Sequence, residues 1–201
     1  MVKIISLTCA FLVLLVSHAL AISSINIETI NEAQNYGKVK AQHQLEDFLL
    51  PWISYEEKAI TLNETAEHTY LYTTFLLMAT DAREKTLNGQ KVSMLDSERI
   101  LTDYTDILSL SIVLFGEKQN FAQNAKVVLK QNNKVIKAYQ VYIPPQAEKY
   151  TENDEGQPLY KAQCYAYFLE KNIKLDMPVT VVITTSDKKR HSFYFDLAKI
   201  K

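Results

Sequence analysis

From residue 106 onward the apolar residues of this chain recur at every second position, and that period decides what it can fold into. Leu108, Leu110, Ile112 and Leu114 alternate with Ser109 and Ser111, so an extended chain there is apolar on one side and hydroxylated on the other. Gly116 ends the run. Residues 127–130 and 135–143 flank Gln131-Asn132-Asn133-Lys134, where asparagines tolerate the positive φ of a tight hairpin. Pro144-Pro145 stops the second of these strands. Residues 151–158 read as a polar loop. Strands follow over 160–169, 179–185 and 191–197, the last two joined through Ser186-Asp187-Lys188-Lys189.

Upstream the period is helical. Within 22–66, Ile27, Ile30, Ala41, Leu45, Phe48, Leu49 and Trp52 fall mostly on one stripe at three- and four-residue spacing. Gly37 weakens its middle by about 1 kcal/mol relative to alanine, which allows two helical pieces. Pro51 ends the helix near Leu49. Residues 69–78 carry two signals: tyrosine, threonine and phenylalanine favour a strand, while the unbroken apolar character also fits a buried helix. The strand is preferred, because 80–87 then forms a short helix closed by Asn88-Gly89. Ser93 caps a second helix running to about Leu101, with Asp96 favouring its dipole.

Counting 69–78, about seven antiparallel strands separated by turn signals predict a mainly β chain. The rhythm fits an immunoglobulin-like β-sandwich over 67–201, preceded by the helical segment and with short helices between the first and second strands. The likeness is one of architecture. Trp52 precedes the sandwich and Cys164 stands alone, so the Cys…Trp…Cys hallmark is missing. With no Gly/Ser-rich linker, the helical arm and the sandwich are expected to form one unit, with 53–66 as the boundary if they do not.

The first twenty-one residues carry an address. Lys3 gives a positive start, residues 4–16 are mostly apolar, and Ser17-His18-Ala19-Leu20-Ala21 ends in the small-x-small pattern of a signal-peptidase site. The run is shorter than the roughly twenty residues of a membrane span. Residues 1–21 therefore read as a removable secretory signal; the rival, an uncleaved anchor reaching Ile25, is interrupted by Ser17, His18, Ser23 and Ser24. The expected location is periplasmic or extracellular, with membrane association only if the signal is kept. Cleavage removes Cys9 and leaves Cys164 as one thiol, which excludes an intramolecular disulfide. It also removes Lys3 from 22 basic residues against 23 acidic ones. No concentrated basic field remains for nucleic acid.

Several chemistries are excluded outright. Glycines at 37, 89, 116 and 156 rule out G-x-G-x-x-G, the Walker A loop and G-x-S-x-G, each of which needs backbone that only glycine supplies. His43, His68 and His191 are scattered and lack metal-ligand spacing; His191 shares parity with Phe193, Phe195 and Leu197, at the rim of a core face. Glu152-Asn153-Asp154-Glu155-Gly156 is acidic but lacks EF-hand spacing and reads as a solvated loop. Cys164 alternates with Ala162, Ala166 and Phe168, which buries its thiol; Cys–His catalysis requires His191 beside it. Ser186 to Lys189 matches S-x-x-K but on a turn. Asn63-Glu64-Thr65 is a glycosylation triplet on a eukaryotic route and otherwise a turn. No catalytic set, cofactor or metal site follows from these residues.

One constellation points to binding. Tyr142, Tyr165 and Tyr167 fall on the outward face of the sheet carrying the first, second, fourth and fifth strands, joined by Ser109 and Ser111. An exposed tyrosine offers ring area and a directional hydroxyl. The alternative for this face is that the helix bearing Leu45, Phe48, Leu49 and Trp52 packs onto it. Two functions remain: an exported, non-enzymatic binding or structural module for another protein or a cell-surface component, or an exported hydrolase. The hydrolase would draw its groups from loops such as 144–160 and gather His191 or several acids in a cleft.

Overall fold

The computed structural model describes residues 26–152 and 156–201. The expected signal at 1–21 and positions 153–155 of the acidic loop lie outside them. Helix α1 (Ile27–Val39) starts where Asn26 Oδ1 accepts the Thr29 amide at 2.9 Å, satisfying a donor that a helix start leaves bare. It runs unbroken through Gly37, where the sequence allows two pieces. The reason is tertiary. A Cβ on Gly37 would lie 2.1 Å from the Ala79 carbonyl oxygen, so this glycine lets α1 touch α3 (Thr74–Leu87). Helix α2 (Leu45–Leu49) ends before Pro51, with a 3-10 turn at Leu50–Trp52. Non-helical residues 40–44 separate α2 from α1 and divide the expected stripe. Ile30, Ala41, Phe48, Leu49 and Trp52 are buried, while Ile27 and Leu45 face solvent.

Residues 69–78 hold both of the structures their composition suggests. Strand β2 (His68–Tyr72) stops and α3 begins two residues later, because the Thr73 hydroxyl accepts the Leu76 amide at 3.2 Å. Phe75, Leu76, Met78, Ala79 and Ala82 are buried at helical spacing. The strand expected over 73–78 is thus a helix, initiated by its cap and held by packing. Helix α4 (Met94–Tyr104) starts on the expected Ser93, in a reciprocal capping box with Asp96.

The described residues form ten strands in two antiparallel sheets, where the turn signals predict about seven. One sheet places β1 (Ile53–Tyr55), β2, β3 (Ile107–Gly116), β8 (Pro158–Leu169) and β6 (Gln140–Tyr142) in that order, with β7 (Glu148–Glu152) also pairing β8. The other runs β10 (Arg190–Asp196), β9 (Pro178–Thr184), β4 (Lys126–Gln131) and β5 (Lys134–Lys137). Asn132, in the β4–β5 turn, has φ 52° as the hairpin requires.

The extra strands have physical origins. The single strand expected over 135–143 is two: β5 pairs with β4, and β6 pairs with β8 in the other sheet. Between them the Tyr139 amide donates to the Tyr167 carbonyl at 2.9 Å. Alternation reports which side is apolar and is blind to a change of partner. Strand β1 is too short to show a period. Strand β7 occupies part of the expected polar loop, and all five of its residues are exposed, so pairing and not burial defines it.

Leu110, Ile112, Cys164 and Phe168 of the first sheet meet Leu129, Val181, Ile183 and Phe193 of the second in one apolar cluster. The cluster continues into Phe48, Trp52 and Phe75 of the helical part. At one side the sheets are tied together: Glu56 bridges Phe193, and the Glu57 amide donates to the Ser192 carbonyl at 2.9 Å. No helix among the described residues is long and apolar enough to cross a membrane.

Candidate binding face

Register sorts the side chains of the six-stranded sheet. Positions alternating with the core residues point to its outer side. One cross-strand row there is Tyr70, Ser111, Tyr165 and Tyr142. The row below it is Tyr72, Ser109, Tyr167 and Gln140. The row above is Tyr55, His68, Val113 and Gln163. Tyr142, Tyr165 and Tyr167, singled out from the sequence, thus share one face with both serines. Tyr142 is 53 % exposed with its ring 6.1 Å from that of Tyr165. Tyr139 is 51 % exposed and 6.3 Å from Tyr167. Tyr165 and Tyr167 themselves are half-buried.

The serines of β3 form a low floor between tyrosines of β2 and β8, and both are buried. Gln163 Nε2 donates to Ser111 Oγ at 3.1 Å, whereas the buried Ser109 Oγ has no hydrogen-bond partner among the described residues. The rings crowd one another. Burial pushes the Tyr70 phenol up to about 12, with Tyr55, Glu46 and Tyr72 adding to the effect. Burial also raises Tyr72, helped by Tyr165 and Glu84, and Tyr167, helped by Tyr104, Tyr139 and Tyr165. His68 is lowered by burial, against the opposing effect of the Ala66 carbonyl on its Nδ1. The charge of Lys161, next along the same face of β8, adds to this lowering.

Sequence reasoning missed Tyr55, Tyr70 and Tyr72. The last two alternate with buried Thr69 and Leu71, a period-two signal that the following helix obscured. The helical part borders the β2 end of this face: Tyr70 and Tyr72 pack against the cluster that includes Phe48, Trp52 and Phe75. The ring contacts of Phe48 and Trp52 are with Tyr36, at 5.2 and 5.5 Å, and Trp52 stacks on Phe75 at 6.0 Å.

Other chemistry-bearing groups are engaged elsewhere. His191 Nδ1 hydrogen-bonds Glu67 Oε2, and Glu67 Oε1 accepts the Phe115 amide at 3.2 Å. The pair resembles the oriented base of a triad, but His191 Nε2 is buried and meets no hydroxyl or thiol among the described residues. Cys164 is buried, and desolvation pushes its thiol up to about 12. A chain beginning at Ile22, which lacks Cys9, is therefore expected to resist a thiol-reactive dye at pH 8 and to react fully once unfolded in urea; rapid labelling of that folded chain would contradict the burial of Cys164. His43 is exposed, and Asn63 Oδ1 accepts the Thr65 amide and hydroxyl at 3.1 and 3.0 Å, as a turn residue does. No group of three or more His, Cys, Asp or Glu among the described residues is arranged to hold a metal ion.

A groove of about 480 Å³ lies between α1, residues 51–52 and residues 199–201, over Trp52 and Phe75. Part of its polar rim is paired internally: Lys201 meets Glu32 at 2.9 Å, and Lys199 meets Asp196 at 2.8 Å. The tyrosine face, with the exposed rings of Tyr139 and Tyr142, is the stronger candidate. Compared with protein-family models, curated proteins and solved structures, the chain finds no match.

Proposed function

We propose that this chain is an exported, non-enzymatic module that binds another protein or a cell-surface component through the outer face of its six-stranded sheet. The observation that carries this reading is the field of tyrosines around Ser109 and Ser111, with Tyr139 and Tyr142 more than half exposed. Single exposed apolar residues are ordinary on a surface; adjacent aromatic ones in register are the mark of a contact area. The immunoglobulin-like reading of the fold draws support from strand order. β2-β3-β8-β6 and β10-β9-β4 follow the ABED and GFC orders of such sandwiches, with β5 in the C′ place. Export rests on residues 1–21.

Hydrolysis draws less support. Of the residues it needs, Glu67 and His191 lie together, but a nucleophile and an approach to Nε2 are lacking among the described residues. The test is photo-crosslinking in the native cells, with a benzophenone amino acid at position 142 and, as control, at exposed Lys171. The expected result is a mature mass beginning at Ile22 outside the cytoplasm, with adducts from position 142 and none from 171. Retention in the cytoplasm would overturn export, and equal labelling from both positions would overturn the surface.

A further inference from the structure

We propose that the groove between α1 and residues 199–201 is a second site, separate from the sheet face, for a small amphipathic carboxylate with an apolar body and one acid group. At about 480 Å³ it falls within the range of small-molecule sites, which runs from roughly 300 to 1,000 Å³. Three rings meet along it: Trp52 stacks on Phe75, and Tyr36 stands edge-on to both, at 5.5 and 6.3 Å. The polar atoms of these rings are spent inside the protein. The Tyr36 hydroxyl donates to the Phe48 carbonyl at 2.9 Å, and Trp52 Nε1 donates to the Lys201 main-chain oxygen at 3.0 Å. What the rings turn to the groove is therefore carbon, continued by Val39, Pro51 and Ile200. A ligand body rich in hydroxyls or amides would leave them unmet there, whereas an apolar one loses nothing.

The charges of the rim select the other end of the ligand. The charged side chains lining the groove are Glu32, Lys40, Lys199 and Lys201. Glu32 meets Lys201, and Lys199 meets Asp196 just outside the lining. Lys40 meets no carboxylate among the described residues, and its ammonium lies 5.0 Å from the centre of the Tyr36 ring. A cation left over beside an apolar groove is complementary to an anion on an apolar body. Glu32, Tyr36 and Lys40 stand on successive turns of one helix face, so the free cation lies at one end of the groove and a neutralised pair at the other. An acid group on Lys40 would send its apolar chain about 12 Å along α1, over Trp52 and Phe75, towards Glu32. The negative pole of the helix end is blunted here, because the Tyr36, Lys38 and Lys40 carbonyls accept from the Lys40, Ala41 and His43 amides.

The test uses Trp52, the one tryptophan of the chain, whose emission reports on the groove directly. The folded chain is titrated with decanoate, decanol and decyltrimethylammonium, which share one alkyl chain and differ in charge. Decanoate is expected to shift the emission saturably, and the other two to bind about fivefold more weakly, the upper end for an exposed ion pair. Lys40→Ala is expected to weaken decanoate by about the same factor and to leave decanol unchanged, so that discrimination between the head groups disappears. Val39→Glu, at a position 69 % exposed where folding is not at risk, should abolish decanoate binding. Tyr142→Ala, on the sheet face, should change nothing. Failure of decanoate to bind, decanol binding as tightly as decanoate, or undiminished affinity in Lys40→Ala or Val39→Glu overturns the assignment. Weaker decanoate binding in Tyr142→Ala would move the ligand to the sheet and overturn it as well.

Discussion

Alanine at position 37 is expected to lower the unfolding free energy by about 3 kcal/mol, the upper part of the range for overpacked sites. Helix propensity alone gives the opposite sign, since glycine inside a helix costs about 1 kcal/mol relative to alanine. Packing decides the outcome. The added Cβ would lie 2.1 Å from the Ala79 carbonyl oxygen and 2.9 Å from both Ala82 Cβ and the Arg83 backbone nitrogen. Two of these atoms are backbone in the middle of α3, so the clash is relieved only by moving one helix off the other. Urea denaturation of Gly37→Ala, monitored by circular dichroism, gives the number. A variant as stable as the parent would mean that α1 and α3 are not in such close contact.

Truncating Trp52 to alanine is expected to cost about 4 kcal/mol, as removing a large buried aromatic usually does. The indole is buried, stacks on Phe75, meets Tyr36 edge-on at 81°, and donates through Nε1 to the Lys201 main-chain oxygen at 3.0 Å. Trp52→Phe separates these contributions. It keeps much of the ring contact and loses the hydrogen bond, worth about 1 kcal/mol net. The Lys201 oxygen keeps a second donor, the Thr73 hydroxyl at 2.6 Å, so no acceptor is stranded. Both variants are compared by chemical denaturation. Equal losses for phenylalanine and alanine would place the stability in the hydrogen bond and refute the packing account.

What could be read from the residues, and what could not, divides by the range of the forces involved. The strand through Leu108 to Leu114, the Asn132 turn, the Ser93–Asp96 cap and the burial of Cys164 are all set within a few residues and are found in the structure, although Ser109, Ser111 and Val113, expected to face outward, are buried as well. The sequence alone does not indicate that β5 and β6 change sheets, because no turn signal interrupts Val135 to Tyr142. Gly37 looked like a weakness because its reason for being glycine lies some forty positions away, at Ala79. Glu67 and His191 meet across 124 residues of sequence. For the candidate face, the tyrosines of β6 and β8 were legible from parity. Those of β2 were not, because Thr73 turns the chain into a helix directly after them.

The departure of residues 134–142 from one sheet into the other also bears on how these molecules behave toward one another. A sheet edge with unpaired amides and carbonyls templates the addition of a foreign strand, and the hazard grows with the length of flat edge presented. Strand β5 offers four residues before the chain leaves, and β6 offers three. Strand β7, beyond them, carries Glu148, Lys149 and Glu152 in five positions and has a register shift at Lys149/Thr151. These edges are too short, or too charged and irregular, to recruit a second chain, and the seven-residue edge strand β10 is covered in part where Glu56 and Glu57 pair with Phe193 and Ser192. The exposed rings of Tyr139 and Tyr142 can therefore stand beside margins that resist fibrillar assembly.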